Sequence, residues 1–287
     1  MLQGLLSARR VDTHKGDYGH VLLLAGSPGL TGAAALCALG ALRCGSGLVT
    51  VGVPATLQDV LAGKLTEAMT WALPATKART LAATAATEVL LASERFDAVG
   101  LGPGLSVDPA TKSAVRKLVA QMPKPLVVDA DGLTALVDDI GSLKKATAPR
   151  VITPHPGELA RLLQQPVAEI QRNREAIAQR MSREWRSTVV LKGHRTVVAH
   201  VDGRCYVNET GHAGMATGGM GDVLTGVITS LLGQRLEPFA AAALGVYLHG
   251  LAGDLVRERL GEAGLLAADV AHTIPPAIRQ YLQDAPA

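Results

Sequence analysis

The run Gly218-Gly219-Met220-Gly221-Asp222-Val223-Leu224-Thr225-Gly226 sets a glycine-rich turn against one acid at the expected start of a helix. Glycines let backbone N–H groups approach a phosphate closely, and the unpaired N–H groups and dipole of a helix beginning near Asp222 add positive potential. A carboxylate there would ordinarily repel a phosphate. Its presence makes sense if Asp222 removes a proton from a hydroxyl attacking phosphorus, while the amides of the turn, Gly219 and Gly221 among them, stabilise the charge that develops. Aspartate is also a favoured helix N-cap and glycine turns often only join elements, so this segment alone leaves both readings open.

Other residues with chemical potential directly follow short apolar runs. Gly26-Ser27 and Gly32-Ala33-Ala34 come after the first run, Gly102-Pro103-Gly104 after the third, Asp129-Ala130-Asp131 after the fourth, and Pro154-His155-Pro156-Gly157-Glu158 after the fifth. Lys192-Gly193-His194-Arg195-Thr196 closes the sixth and offers a cation and backbone donors for nucleotide phosphates or ribose. Ligands in open parallel sheets gather beyond the carboxyl ends of the strands, so these segments are expected to converge on one cleft. Singly, each has a plainer use. Gly102-Pro103-Gly104 makes a turn, Lys192 a solvated strand-end charge, and Asp131 a helix cap, with Asp129 buried near the cleft. His155, held between two prolines, is aimed at a ligand or sits in an ordered surface turn. Glu158 orients metal-bound water near phosphates or merely favours the first turn of a helix.

The elements that must position these residues are legible as apolar runs at His20–Ala25, Leu48–Val53, Phe96–Leu101, Leu126–Val128, Val151–Thr153 and Thr188–Leu191. Continuous Val- and Leu-rich runs suit strands buried on both faces, and the stretches between them, such as Ala33–Leu42 and Ala110–Ala120, suit crossover helices. Arg195–His200 and Arg204–Val207, joined at Asp202-Gly203, read as an antiparallel hairpin. From Asp222 onward helix dominates: Asp222–Leu232, Pro238–Leu260, and Ala267–Leu282 broken at Pro275-Pro276. The expected fold is α/β, one domain over residues 1–287, with a mostly parallel central sheet between two helical layers.

Composition narrows the functions. The chain has 287 residues, 48% of them hydrophobic, enough for a full core. Lys and Arg total 28 against 25 acids, scattered, and aromatics are 3%, which excludes a basic stripe or stacking platform for nucleic acid. Cys37, Cys44 and Cys205 lack zinc spacing and read as buried small hydrophobes in a reducing compartment. The apolar run Val21–Ala25 is too short for a signal sequence or membrane span, and Arg9-Arg10 reads as surface charge, so a cytoplasmic protein without membrane contact is expected. No G-x-x-x-x-G-K-[ST] occurs, and Gly102-x-Gly104 is followed by Val107 where a dinucleotide fingerprint needs a third glycine. Phosphates would therefore be held at Gly218–Gly221, with the nucleotide arriving from the Lys192 side, a ribokinase-like arrangement.

On these residues the chain resembles the ADP-dependent NAD(P)H-hydrate dehydratases of the ribokinase-like superfamily, from about Lys15 to the C-terminal helices. The resemblance rests on seven ordered segments: Lys15-Gly16-Asp17-Tyr18-Gly19-His20-Val21, Gly26-Ser27, Gly32-Ala33-Ala34, Gly102-Pro103-Gly104, Asp129-Ala130-Asp131, Thr153 to Glu158, and Met215 to Asp222. It implies a carbon–oxygen lyase that restores NADH or NADPH from the S-form of the hydrated dinucleotide, with ADP as phosphoryl donor, Mg2+ as cofactor, and AMP and phosphate as products. It implies Ala34, Gly104, His155 and Asp222 as substrate contacts, and Lys192, Gly193, His194, Arg195, Thr196 and Gly221 as nucleotide contacts. A homo-oligomer is expected, with a tetramer as one form it could take. The roughly twenty residues before the first strand are too few for the epimerase domain often fused to this family, so a separate NAD(P)H-hydrate epimerase is the expected functional partner. The chain departs from the family pattern at His212-Ala213, where Asn-Pro is common, and at Thr134, where Asn is common, which puts loop rigidity and one polar contact in question. The rival reading is a kinase of the same fold acting on a hydroxymethylpyrimidine or hydroxyethylthiazole vitamin precursor. A non-catalytic nucleotide sensor would not need Asp222.

Overall fold

The computed structural model describes residues 2–284. Nine strands form one sheet in the order β3-β2-β1-β4-β5-β6-β7-β8-β9. The strands are β1 (His20–Leu24), β2 (Leu48–Pro54), β3 (Met69–Leu73), β4 (Ala98–Leu101), β5 (Leu126–Val128), β6 (Arg150–Ile152), β7 (Thr188–Leu191), β8 (Val197–Ala199) and β9 (Cys205–Val207). The first seven run parallel, and β8 and β9 add the expected antiparallel hairpin. Edge strand β3 is absent from the sequence reading. Its mixed run Met-Thr-Trp-Ala-Leu is only partly buried and lacks the continuous apolar signal of the central strands.

In chain order the helices are α1 (Thr31–Arg43), α2 (Gln58–Lys64), α3 (Ala85–Leu91), α4 (Pro109–Gln121), α5 (Asp131–Thr134), α6 (Gly141–Lys144), α7 (Pro156–Leu163), α8 (Val167–Arg172), α9 (Arg174–Trp185), α10 (Met220–Gly233), α11 (Pro238–Leu260) and α12 (Ala267–Gln283). Strand alternation divides the core in two. Val21 and Leu23 of β1 pack with α1, α10, α11 and α12, whereas Leu22 and Leu24 face α3, α4, α7 and α9. The sheet is thus sandwiched between two helical layers, and both cores are buried.

Three readings need correction. Helix α12 is continuous through Pro275 and Pro276, because its apolar face, including Val270, Ile274 and Ala277, is buried and outweighs the lost N–H groups. Asp131 is not a cap: Ala130 precedes α5 without a side-chain bond, and Asp131 instead accepts from the Ser106 N–H at 2.9 Å. Cys37 and Cys44 are buried, but Cys205 on edge strand β9 is only half-buried. Helix α11 is long and apolar enough to cross a membrane, yet 83% of its apolar window is buried inside the fold, as a central core helix must be.

Strand order reverses between β1 and β4, where the chain leaves β3 at the edge and returns beside β1. There the segments that follow β1 and β4 are joined at the base of the crevice, the Gly26 N–H donating to the Pro103 carbonyl at 2.9 Å. Helices α1 and α10 cross against this end of the sheet. At Gly226 any side chain would collide with the Cys37 carbonyl, so the two helix backbones touch.

Candidate active site

Helix α10 starts at Met220, two residues before Asp222, with Gly219 as its N-cap at φ 91°. A β-carbon on Gly219 would lie 2.5 Å from Leu36 Cδ1 and 3.1 Å from Ala267 Cβ, so both conformation and packing require glycine. Asp222 is consequently a first-turn residue rather than the cap, and the free N–H groups of the turn remain available to an anion.

A cavity of about 680 Å³ opens beside this turn at the carboxyl ends of β5, β6 and β7. It is lined by His155, Glu158, the strand-end loop Lys192 to Thr196, Gly221 and Asp222, so these predicted residues share one space. Ala34 and Gly104 do not line it. Both belong to the β1/β4 crevice, where a β-carbon on Gly104 would fall 3.1 Å from that of Ala33 and one on Gly26 3.1 Å from that of Ala34, whose side chain is completely buried. Asp222 thus belongs to the cavity wall on the helix α10 that packs across β1, β4 and β5.

Charge in the site is tightly organised. Lys192 Nζ donates to Asp129 Oδ1 at 2.5 Å and stands 3.8 Å from Glu158 Oε2. Asp129 is 1% exposed and accepts from Thr225 Oγ1 on α10 at 2.9 Å through its other oxygen. Burial opposes the Lys192 charge, but Asp129, Glu158 and Asp222 outweigh it and raise the ammonium's proton affinity overall. Burial first, then the Asp129 charge, pushes the Asp222 carboxyl up to about 6 against the pull of Lys192, with Asp131 adding a smaller push. Such a group is a base poised near neutrality.

His155 caps α7. Its Nδ1 accepts from the Gly157 and Glu158 N–H groups, while Glu158 Oε2 accepts from the His155 N–H at 2.7 Å. The imidazole remains half exposed at the cavity rim, so the proline-flanked turn both caps and presents it. Arg174 seats the opposite loop, its guanidinium donating to the carbonyls of Leu191 at 2.8 Å and Lys192 at 3.2 Å.

The sequence reading gave no role to Thr225, Arg174 or His249. Thr225 stood within the glycine run, and His249 interrupts the apolar helix α11 with an imidazole whose Nε2 finds no partner. Arg174 gave no signal, because its partners are carbonyls distant in sequence. The two departures from the family pattern also acquire structural uses. His212 Nδ1 accepts from the Gly214 N–H and its Nε2 lies 3.1 Å from the Gly253 carbonyl, pinning the loop to α11. Thr134 Oγ1 donates to the Ala130 carbonyl within α5.

Among the described residues no group of three metal-binding side chains occurs. Glu158 Oε2 is committed to the His155 N–H, leaving Oε1 beside the imidazole at 3.6 Å. That single oxygen fits a contact through water to a phosphate-bound Mg2+, which borrows few protein ligands.

Comparison with known proteins identifies the family. The sequence model of the family described as NAD(P)H-hydrate dehydratase matches residues 21–276. The bifunctional NAD(P)H-hydrate repair enzyme Nnr of Moorella thermoacetica is 49% identical over 279 residues, which cover 97% of this chain and 53% of that protein. The chain therefore spans about half the length of such bifunctional relatives. The ADP-dependent (S)-NAD(P)H-hydrate dehydratase of Neisseria meningitidis is 38% identical, covering 93% of this chain and 87% of its own. The crystal structure of ADP/ATP-dependent NAD(P)H-hydrate dehydratase from Bacillus subtilis, co-crystallised with ATP/Mg2+, superposes with a TM-score of 0.83 at 33% identity, covering 96% of this chain and 94% of that one. This extent of likeness, with a parallel sheet closed by an antiparallel hairpin between two helical layers, places the chain in the NAD(P)H-hydrate dehydratase family, with a ribokinase-like fold.

Proposed function

We propose that the protein is an ADP-dependent dehydratase that returns the S-form of hydrated NADH and NADPH to the intact dinucleotides, with AMP and phosphate as products. The observation that carries this reading is the Asp222 carboxyl, raised to about 6, in the first turn behind the Gly219–Gly221 amides and in one cavity with Lys192. Hydroxide is a poor leaving group from the hydrated nicotinamide ring, whereas phosphate leaves readily. Asp222 takes the ring hydroxyl proton as its oxygen attacks the terminal phosphorus of ADP, and AMP departs. The turn amides stabilise the charge on the transferring group. Electron push from the ring nitrogen then expels phosphate to leave an iminium, and loss of a proton from the adjacent ring carbon re-forms the ring double bond.

In this assignment Lys192, Gly193, His194, Arg195, Thr196 and Gly221 hold the nucleotide, and His155, Gly104 and Asp222 contact the dinucleotide, with Ala34 contributing through its backbone because its side chain is enclosed. Mg2+ bound to the phosphates would offset their charge, with Glu158 holding one of its waters. An NAD(P)H-hydrate epimerase activity would supply the S isomer. Purified protein incubated with hydrated NADH, magnesium and either ADP or ATP should restore reduced-nicotinamide absorbance. Absence of recovery with both nucleotides would overturn the reading in favour of a kinase for a vitamin precursor.

A further inference from the structure

The buried acid Asp129 takes no part in the reaction proposed above, yet it ties the strand-end lysine to the helix that carries Asp222. Its two oxygens are bound from opposite sides, by Lys192 at the end of β7 and by Thr225 one turn beyond Asp222 in α10. Between those partners lies Gly221, where a β-carbon would sit 3.3 Å from Lys192 Nζ and 3.4 Å from Asp129 Oδ2. The ion pair therefore forms the wall directly behind the amide turn. Lys192 continues the chain of contacts to Glu158, and Glu158 to the His155 backbone, so the base helix and the histidine turn are linked through one carboxylate.

We propose that Asp129 is a positioning residue, which holds Lys192 and the start of α10 in a single register and keeps a second negative charge beside the Asp222 carboxyl. The inference rests on the dehydratase reading for its kinetic consequence but not for its structural one. Lys192 alone would favour the Asp222 carboxylate, leaving a weak base. Asp129 takes up that cation and adds its own field, so Asp222 binds its proton more firmly and accepts one more readily in the reaction. The groups facing Asp222 from the packed elements are Asp129 after β5, Asp131 in α5, Lys192 after β7 and the Cys37 thiol of α1. The thiol is neutral, since burial and the two nearby aspartates push it well above its ordinary range. His249 of α11 lines the same cavity and is neutral too, its imidazole pulled down to about 4 by burial. Asp131 is held by the Ser106 N–H and makes no hydrogen bond to Asp129's partners. The adjustable field on Asp222 is thus the Asp129–Lys192 pair.

Two substitutions act in opposite directions. Asp129→Asn removes a negative charge and leaves Lys192 uncompensated, so Asp222 should ionise at lower pH than in the wild type. Thr225→Val removes the hydroxyl donor from Asp129 and leaves its charge less neutralised, so Asp222 should ionise at higher pH. The direct readout is the titration of the Asp222 carboxyl carbon by NMR in nucleotide-free protein, which needs no activity. The kinetic readout is the acid limb of kcat/KM for hydrated NADH with saturating ADP, where the nucleotide's own ionisation is common to all variants. Opposite displacements by Asn and Val, with Asp129→Glu returning toward the wild-type limb, support the inference. An Asp222 titration that stays in place in both variants, or moves the same way in both, overturns it. Should Asp129→Asn not fold, the upward displacement in Thr225→Val decides alone. If the wild type shows no dehydratase turnover, the function falls while the carboxyl titration still judges Asp129.

Discussion

Gly221 and Lys192 are neighbours across the cavity wall, so close that a β-carbon on the glycine would come within 3.3 Å of the ammonium nitrogen. The glycine has no positive φ to require it, unlike Gly219 two residues earlier. Its smallness keeps the cation and the amide turn side by side in one cavity wall.

Gly221→Ala and Gly219→Ala should therefore fail differently. The first should fold within about 1 kcal/mol of the wild type and raise the KM for nucleotide by about tenfold or more, because the new methyl displaces Lys192. The second forces φ 91° on an alanine against Leu36 and should cost about 2 kcal/mol or more in urea denaturation. Equal stability losses in the two would contradict the geometry.

Asp222→Asn should lower kcat by between about 10²- and 10⁴-fold while leaving nucleotide affinity, measured by calorimetry, nearly unchanged. The same substitution should stabilise the fold. Because the carboxyl is raised to about 6 in the protein, its contribution to stability is fully present below its unfolded value and is lost as pH rises through about 6. Removing the charge should thus add on the order of 2 kcal/mol at pH 8 and little at pH 4, which thermal melts at the two pH values can check.

Activity should fall as pH drops through about 6, where Asp222 becomes protonated and can no longer accept the hydroxyl proton. The pH dependence of single-turnover rates, with nucleotide saturating, tests this. A rate independent of pH from neutrality down to the ordinary carboxylate range would remove Asp222 from the base role.

Lys192→Gln leaves Asp129 buried without its cation and should cost about 3–5 kcal/mol. Adding Asp129→Asn should recover a large part of that loss, so a double-mutant cycle by denaturation should give a coupling of about 2 kcal/mol or more. Additive losses would show that the two groups do not stabilise each other.

Arg174→Met removes the donors to the Leu191 and Lys192 carbonyls without touching the cavity. The nucleotide KM should rise several-fold, with kcat for bound substrate within about twofold. A fall in kcat at constant KM would assign Arg174 another task.

The central strands, the crossover helices and the hairpin were legible because burial on both faces writes unbroken Val and Leu runs into the chain, as at Leu126–Val128 and Thr188–Leu191. Strand β3 was not, since its edge position leaves it half wet and compositionally mixed. In the site, residue types announced Asp222, His155 and Lys192, but not their relations. Lys192 read as a solvated charge or a nucleotide contact, whereas it is paired to an acid 63 positions away. The dyad Pro275-Pro276 misled for a related reason: local backbone preference is visible in sequence, and the buried face that overrides it is not.

The backbone contact at Gly226 and Cys37 fixes α1 to α10 with no side chain between them, so the switch-point loop preceding α1 and the base on α10 are carried by one rigid jaw. A side chain at Gly226 would drive the two helices apart and carry Asp222 away from the crevice between β1 and β4.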